Sequence, residues 1–156
     1  MRRSEREVVD CEKIDQVIAG CHCCRLGFCD EGEVYIVPLN FGYVKKDGKR
    51  IFYFHGAREG RKLDLIRRTH TAGFEMDTSY QLNEGETACQ YSARFLSIIG
   101  TGRVDLVENG AEKEAALQAI MEHNTGKADW TFSPEMVKAV SVFRLVAEKL
   151  SCKEHL

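Results

Sequence analysis

Two apolar runs, EVYIVPLNFGYV (33–44) and RIFYFH (50–55), are separated only by KKDGK. Both are rich in β-branched and aromatic side chains, which suit a pleated, half-buried strand. Between them, Asp47-Gly48 is the residue pair that a tight hairpin turn selects, because both central positions need a positive φ. The middle of the chain is therefore committed to a β-hairpin, and the rest of the sequence must fold around it.

The flanking segments extend the same pattern. Asp10 is placed to cap a short helix that presents Ile14, Val17 and Ile18 at helical spacing and ends at Gly20. CHCCRLGFC (21–29) reads as a strand. After His55, GAREGRKLDLIRRTH (56–70) carries Leu63, Leu65 and Ile66 inward from a helix that starts near Gly60. TAGFEMD (71–77) and ACQYSARFLSIIGTGRVDLV (88–107) read as two more strands, the second interrupted by Gly100 and Gly102 in the manner of a bulge or barrel corner. GAEKEAALQAIMEHNTG (110–126) predicts an amphipathic helix with Leu117, Ile120 and Met121 facing in and Gly126 closing it. Ser133-Pro134 opens a short helix, and VSVFRLVAEKL (140–150) is a last strand. Five or six strands, mostly in hairpins with helices at the joints, predict a small β-barrel of the α+β kind, mainly β.

Composition bounds the partners. The 156 residues, 44% hydrophobic, suffice for one core, so residues 1–156 are expected to form a single domain. Twenty-two basic and 24 acidic residues leave a net charge of −2, which recommends neither nucleic acid nor an anionic membrane as the main partner. The start, MRRSEREVVDCEKIDQ, turns charged where a signal peptide needs apolar residues, and no long apolar run exists, so a cytoplasmic location is expected. Seven cysteines, an odd number, are expected as free thiols.

Three places invite chemistry. In GCHCCRLGFC, strand alternation sends Cys21 and Cys23 to one face and His22 and Cys24 to the other, so the four do not converge on one ion; the expectation is packing, with no metal. In HGAREGRKLD a strand ends and a helix begins beside Arg58, Arg61 and Lys62, and a helix N-terminus flanked by cations suits a phosphate. The same residues also suit a solvated basic turn. In VPLNF, Pro38 removes a ladder donor, which an edge strand tolerates and which leaves neighbouring amides free for a flat ligand.

Taken together, VYIVPLNFGYV, IFYFHGAREGRKLDLIRR, SIIGTGRV, the EKEAALQAIMEHNTG helix and VFRLVAEKLSCKEH resemble the pyridoxamine 5′-phosphate oxidase-like flavin-binding proteins over roughly residues 10 to 155. The similarity is greatest to their 5-nitroimidazole-resistance branch. This resemblance implies an FMN-binding split β-barrel with peripheral helices, working as a homodimer with FMN, in preference to FAD, at the subunit interface. It implies that the backbone of Val37, Pro38, Leu39 and Asn40 lines the flavin ring. His55, Gly56 and Ala57 would reach the ribityl chain or ring, Arg61 and Lys62 would hold the phosphate, and Ser97 would lie near the pyrimidine edge. His55 is the candidate proton donor, since an imidazole exchanges protons near neutrality. The implied activity is electron transfer from reduced flavin to a small planar substrate such as a 5-nitroimidazole, the alternative being a flavin- or haem-binding store or sensor. The Arg-x-His signature of true pyridoxamine phosphate oxidases is missing from FRLVAEKLSCKEHL. Trp130, the only tryptophan, is expected near the interface or substrate mouth, or as a plug at the barrel end.

Overall fold

A computed structural model describes residues 4–155. Its elements are β1 (Glu7–Val8), α1 (Cys11–Ala19), β2 (Cys24–Asp30), β3 (Glu33–Leu39), β4 (Gly42–Lys46), β5 (Lys49–Gly56), α2 (Arg61–Thr69), β6 (Thr71–Asn83), β7 (Ser92–Leu106), α3 (Gly110–Thr125), α4 (Pro134–Ala139) and β8 (Ser141–His155). The local signals act as their chemistry demands. The Asp10 side chain accepts from the Lys13 amide at the start of α1, and Ser133 does the same for Met136 at α4. Gly126 ends α3 with a φ of 71°. Asp47 and Gly48 have φ of 51° and 74°, and Glu31-Gly32, at 52° and 95°, makes a second turn of the same kind between β2 and β3.

The sheet is antiparallel and runs β3-β2-β6-β7-β8-β5-β4, with β1 beside β8. Its two end strands, β3 and β4, are consecutive in the chain, separated only by Asn40 and Phe41. The sheet must therefore roll until its edges nearly meet, bridged by the chain but not by a ladder. This is a split barrel. Between Thr101 and Gly102 the β7–β8 register shifts, so that Glu148 bulges out of β8 at the glycine pair. Gly102 also leaves room that no side chain can take: a Cβ there would overlap the Val146 carbonyl.

Inside the barrel, Phe28, Phe41, Phe52, Phe54 and Phe143 are buried with Leu26, Met76 and Ile98, and α2 adds Leu63, Leu65 and Ile66 from one end. Phe54 stacks on Phe143 at 5.2 Å. Each such ring contributes roughly 1.5–3 kcal/mol by burial. A second, smaller core lies outside the barrel, where Ala116, Leu117 and Ile120 of α3 cover Val107 and Val142. Met121, expected to face inward, is only half-buried. Gly42 lets α3 lie against β4, since a Cβ there would overlap the Ala119–Ile120 backbone.

Two expectations are corrected. The 33–44 run is not one strand but two, because Phe41 turns inward to pack against Phe52 and the His123 ring, 4.4 Å away. The cysteine segment is not all strand either: β2 begins only at Cys24. Alternation therefore does not govern Cys21–Cys23, and Cys21 and Cys24 are both fully buried, while His22 is exposed and Cys23 half-buried. The packing role stands. Burial, with Asp77 and Glu75 nearby, pushes the Cys21 thiol up to about 12, and burial raises Cys24 as well, so neither offers a thiolate. Among the described residues no three His, Cys, Asp or Glu side chains group as metal ligands would.

Candidate active site at the split of the barrel

Pro38 sits on β3, the edge strand at one side of the split, as its missing N–H requires. Tyr35, Val37 and Leu39 are half-buried against the barrel interior, whereas Val34, Ile36 and Pro38 face out, the first two 75% and 60% exposed. Asn40 follows in the bridge, where its side chain donates to the His22 carbonyl at 3.0 Å. That bond is structural. It ties the bridge to the turn before β2, and His123 ties the same turn to α3 through the Cys21 carbonyl at 2.8 Å.

On the opposite side of the split, β5 runs past the end of β4, which pairs only as far as Tyr53. Phe54, His55 and Gly56 keep β8 alone as partner. His55 is exposed there, on the outer face, and Ala57 leads out of the strand. The chain then turns at Gly60, with a φ of 135°, into α2. No side chain caps this helix, so the amides of Arg61 and Lys62 are free to bind an acceptor. Lys62 folds back over Gly56: a Cβ on Gly56 would stand 2.8 Å from Lys62 Cε and 3.1 Å from its Nζ. Lys62 forms no ion pair among the described residues. An uncompensated ammonium, a bare glycine and open helix amides are groups that could hold an anion.

Arg61 is placed differently from its expected role. Its Nε donates to Asp30 at 2.9 Å, a second guanidinium nitrogen lies 3.5 Å from Glu33, and its plane covers the Tyr35 ring at 4.9 Å. Arg68 pairs with Asp30 too, and the two arginines hold the Asp30 carboxyl below its ordinary range. Arg61 thus clamps α2 to the β2–β3 turn and brings β3 alongside the β5–α2 loop. Sequence reasoning missed Asp30, Glu33 and Tyr35 in this clamp; the signal was the acidic turn DEGE (30–33), the charge complement of a helix carrying Arg61, Arg67 and Arg68.

Ser97 is not brought to this group within one chain. It lies on the outer face of β7, in register with Asp77 and Lys153, and lines an open cavity of about 290 Å³ with Glu7, Ile99, Ser151 and Lys153. His55 is in register with Val142 near the start of β8, so the two are on the order of 30 Å of strand apart. From Pro38, Ser97 is separated by three strand spacings, about 14 Å. Between them Arg25 bonds Glu75 and Asp77 at 2.9 and 2.7 Å. Trp130 is exposed, its indole N–H reaching Thr125 at 3.3 Å, so it caps the end of α3 and does not plug the barrel.

The profile of the pyridoxamine 5′-phosphate oxidase family matches residues 10–154. The chain belongs to this family. Its fold matches a candidate 5-nitroimidazole antibiotic resistance protein of Bacteroides thetaiotaomicron with a TM-score of 0.81, at 30% identity, covering 95% of this chain and 86% of that one. It also matches the flavocytochrome of Azotobacter vinelandii (TM-score 0.80, 18% identity, 100% and 72% covered) and an FAD- and heme-binding protein of Mycobacterium smegmatis (0.82, 14%, 96% and 73%). These last two share the fold. No curated protein matches the chain by sequence. Among the described residues, no helix is long and apolar enough to cross a membrane.

Proposed function

We propose that this member of the pyridoxamine 5′-phosphate oxidase family is a homodimeric FMN-binding oxidoreductase that reduces a small planar substrate such as a 5-nitroimidazole. The observation that carries the reading is the Lys62 amine folded over Gly56 at the open N-terminus of α2. A terminal phosphate fits that seat, which favours FMN over FAD. Lys62 and the Arg61 and Lys62 amides would hold the phosphate. The Val37–Asn40 backbone offers an edge on which a flat ring can lie, and Gly56 and Ala57 let it approach without side-chain obstruction.

Flavin, when bound, supplies electrons in one- or two-electron steps. The chain's part is to hold, orient and protonate. Reduction of a nitro group to an amine takes up protons with the electrons and releases water, and His55, exposed at the end of β5, stands where it can deliver a proton to an oxygen of a substrate lying over the strand end. Ser97, on β7 and on the order of 30 Å of strand from His55, is too far away to serve the same site from the same chain. A second copy supplying Ser97 would complete it, and the exposed Val34, Ile36 and Ile99 give the apolar surface for a two-fold contact. The 30% identity to the Bacteroides protein supports the nitroimidazole substrate class.

The test is a visible spectrum followed by turnover. Purified protein should show flavin absorption near ~450 nm and, with a chemical reductant to supply electrons, convert a 5-nitroimidazole to its amine. A flavin spectrum without turnover favours the store or sensor, a Soret band favours haem, and a colourless protein that refuses added FMN overturns the reading.

A further inference from the structure

Arg58, in the β5–α2 loop, lines a cavity of about 330 Å³ on the outer side of the barrel. There Arg58 is joined by Arg67 of α2, Lys113 of α3 and Lys138 of α4. Four cations from four separate segments thus surround one hollow. Arg67 is partly compensated by Asp64 at 3.2 Å. Arg58, Lys113 and Lys138 pair with no carboxylate among the described residues, and Glu108, the one acid in the lining, pairs with none of the four. Behind the cations lie the buried Val107 and Val142 and the half-buried Val140, while the surface that the hollow presents is mainly polar. Like charges so gathered repel one another, and a multivalent anion removes that repulsion.

The geometry points to a second, separate binding site here, for a phosphate-bearing small molecule. Arginine forks match a phosphate edge in bidentate fashion, while lysines add point charge from the opposite wall. The volume suits a compact ligand at the small end of the usual range. A mononucleotide and a sugar phosphate present the same group to these cations. The site does not depend on the flavin reading: it shares no side chain with the Lys62–Gly56 seat.

The experiment is a low-salt NMR titration of the protein, as purified, with inorganic pyrophosphate. Amide shifts should concentrate at Val107, Lys113 and Val142, and Lys113→Glu/Lys138→Glu should weaken binding at least tenfold while flavin content stays unchanged. Lys46→Glu/Lys49→Glu, reversing two lysines at the distant β4–β5 turn that form no ion pair among the described residues, should change affinity less than twofold. If the double reversal fails to fold, Lys113→Gln/Lys138→Gln removes the charges at similar volume and should weaken binding severalfold. Adenosine monophosphate tighter than ribose 5-phosphate would identify a nucleotide, and the reverse a sugar phosphate. Equal loss in the turn variant, shifts confined to Gly60–Lys62, loss of flavin along with pyrophosphate, or unaltered affinity in the folded charge variants would overturn the proposal.

Discussion

The tip of Lys62 occupies the space where a side chain on Gly56 would be, 2.8 Å from the position of a Cβ. Because that tip is flexible, Gly56→Ala should leave stability nearly unchanged and yet push the ammonium out of its seat. FMN affinity is expected to fall roughly tenfold in Gly56→Ala and between ten- and a hundredfold in Lys62→Ala, since a charge-assisted bond is worth about 1.5–3 kcal/mol. Fluorescence titration of FMN checks both. Unaltered affinity in Lys62→Ala would show that the phosphate sits elsewhere.

Arg61 is committed to Asp30, so its replacement should act on the clamp more than on the phosphate. Arg61→Ala is expected to loosen α2 from the β2–β3 turn, visible as faster amide exchange at Asp30–Glu33, with a smaller loss of FMN affinity than Lys62→Ala causes. Equal losses in the two variants would return Arg61 to the phosphate.

Glycines in contact with backbone should be far less tolerant than Gly56. Gly42→Ala meets the α3 backbone and Gly102→Ala meets the Val146 carbonyl, neither of which moves cheaply. Each should cost about 1–3 kcal/mol in urea denaturation. Gly110, at the first position of α3 with open space around it, is the control: Gly110→Ala should be neutral or stabilising by a few tenths of a kcal/mol.

His123 gives the fold a pH dependence of known sign. Burial lowers its pKa below the ordinary 6.5, and the bond to the Cys21 carbonyl only partly offsets this. Above 6.5 the imidazole is neutral whether the chain is folded or not. Below it the unfolded chain takes up a proton that the folded one resists, so stability falls as the pH drops through 6.5 and stops falling once the folded form is protonated too. His123→Gln should flatten that part of the curve in urea melts between pH 7.5 and 5; an unchanged curve would show that another group is responsible.

Thiol reactivity should follow burial. Cys11, Cys29 and Cys89 are exposed and are expected to react promptly with a disulfide reagent in the native state, whereas Cys21, Cys24 and Cys152 should wait for unfolding. Prompt labelling of Cys21 or Cys24 would contradict their packing.

Where a feature depends on local chemistry, the sequence made it legible. The Asp47-Gly48 turn, the Asp10 cap and the Gly126 stop each rest on the residue itself. What escaped was set by partners distant in the chain. Phe41 breaks an apparently continuous strand because His123, some eighty positions on, supplies a ring to pack against. Likewise Arg61 was legible as a cation but not as one already engaged, because Asp30 and Glu33 reach it only once β2 and β3 have paired. Cys21–Cys23 look like the start of a strand in isolation, yet the tether from His123 to the Cys21 carbonyl holds that turn against α3.

The order of the strands also bears on how the protein is made. β2–β3 and β4–β5 form two hairpins early in the chain, but each lies at an opposite end of the sheet, and β6, β7 and β8 fill the space between. β8, the last of these strands in chain order, pairs with β7, β5 and β1 together. Nascent chains lacking it hold a four-stranded β3-β2-β6-β7 sheet and a disconnected β4–β5 hairpin, each with open edges, so the barrel closes in one late, long-range step, and the interval before β8 emerges is when the chain is most in need of a chaperone.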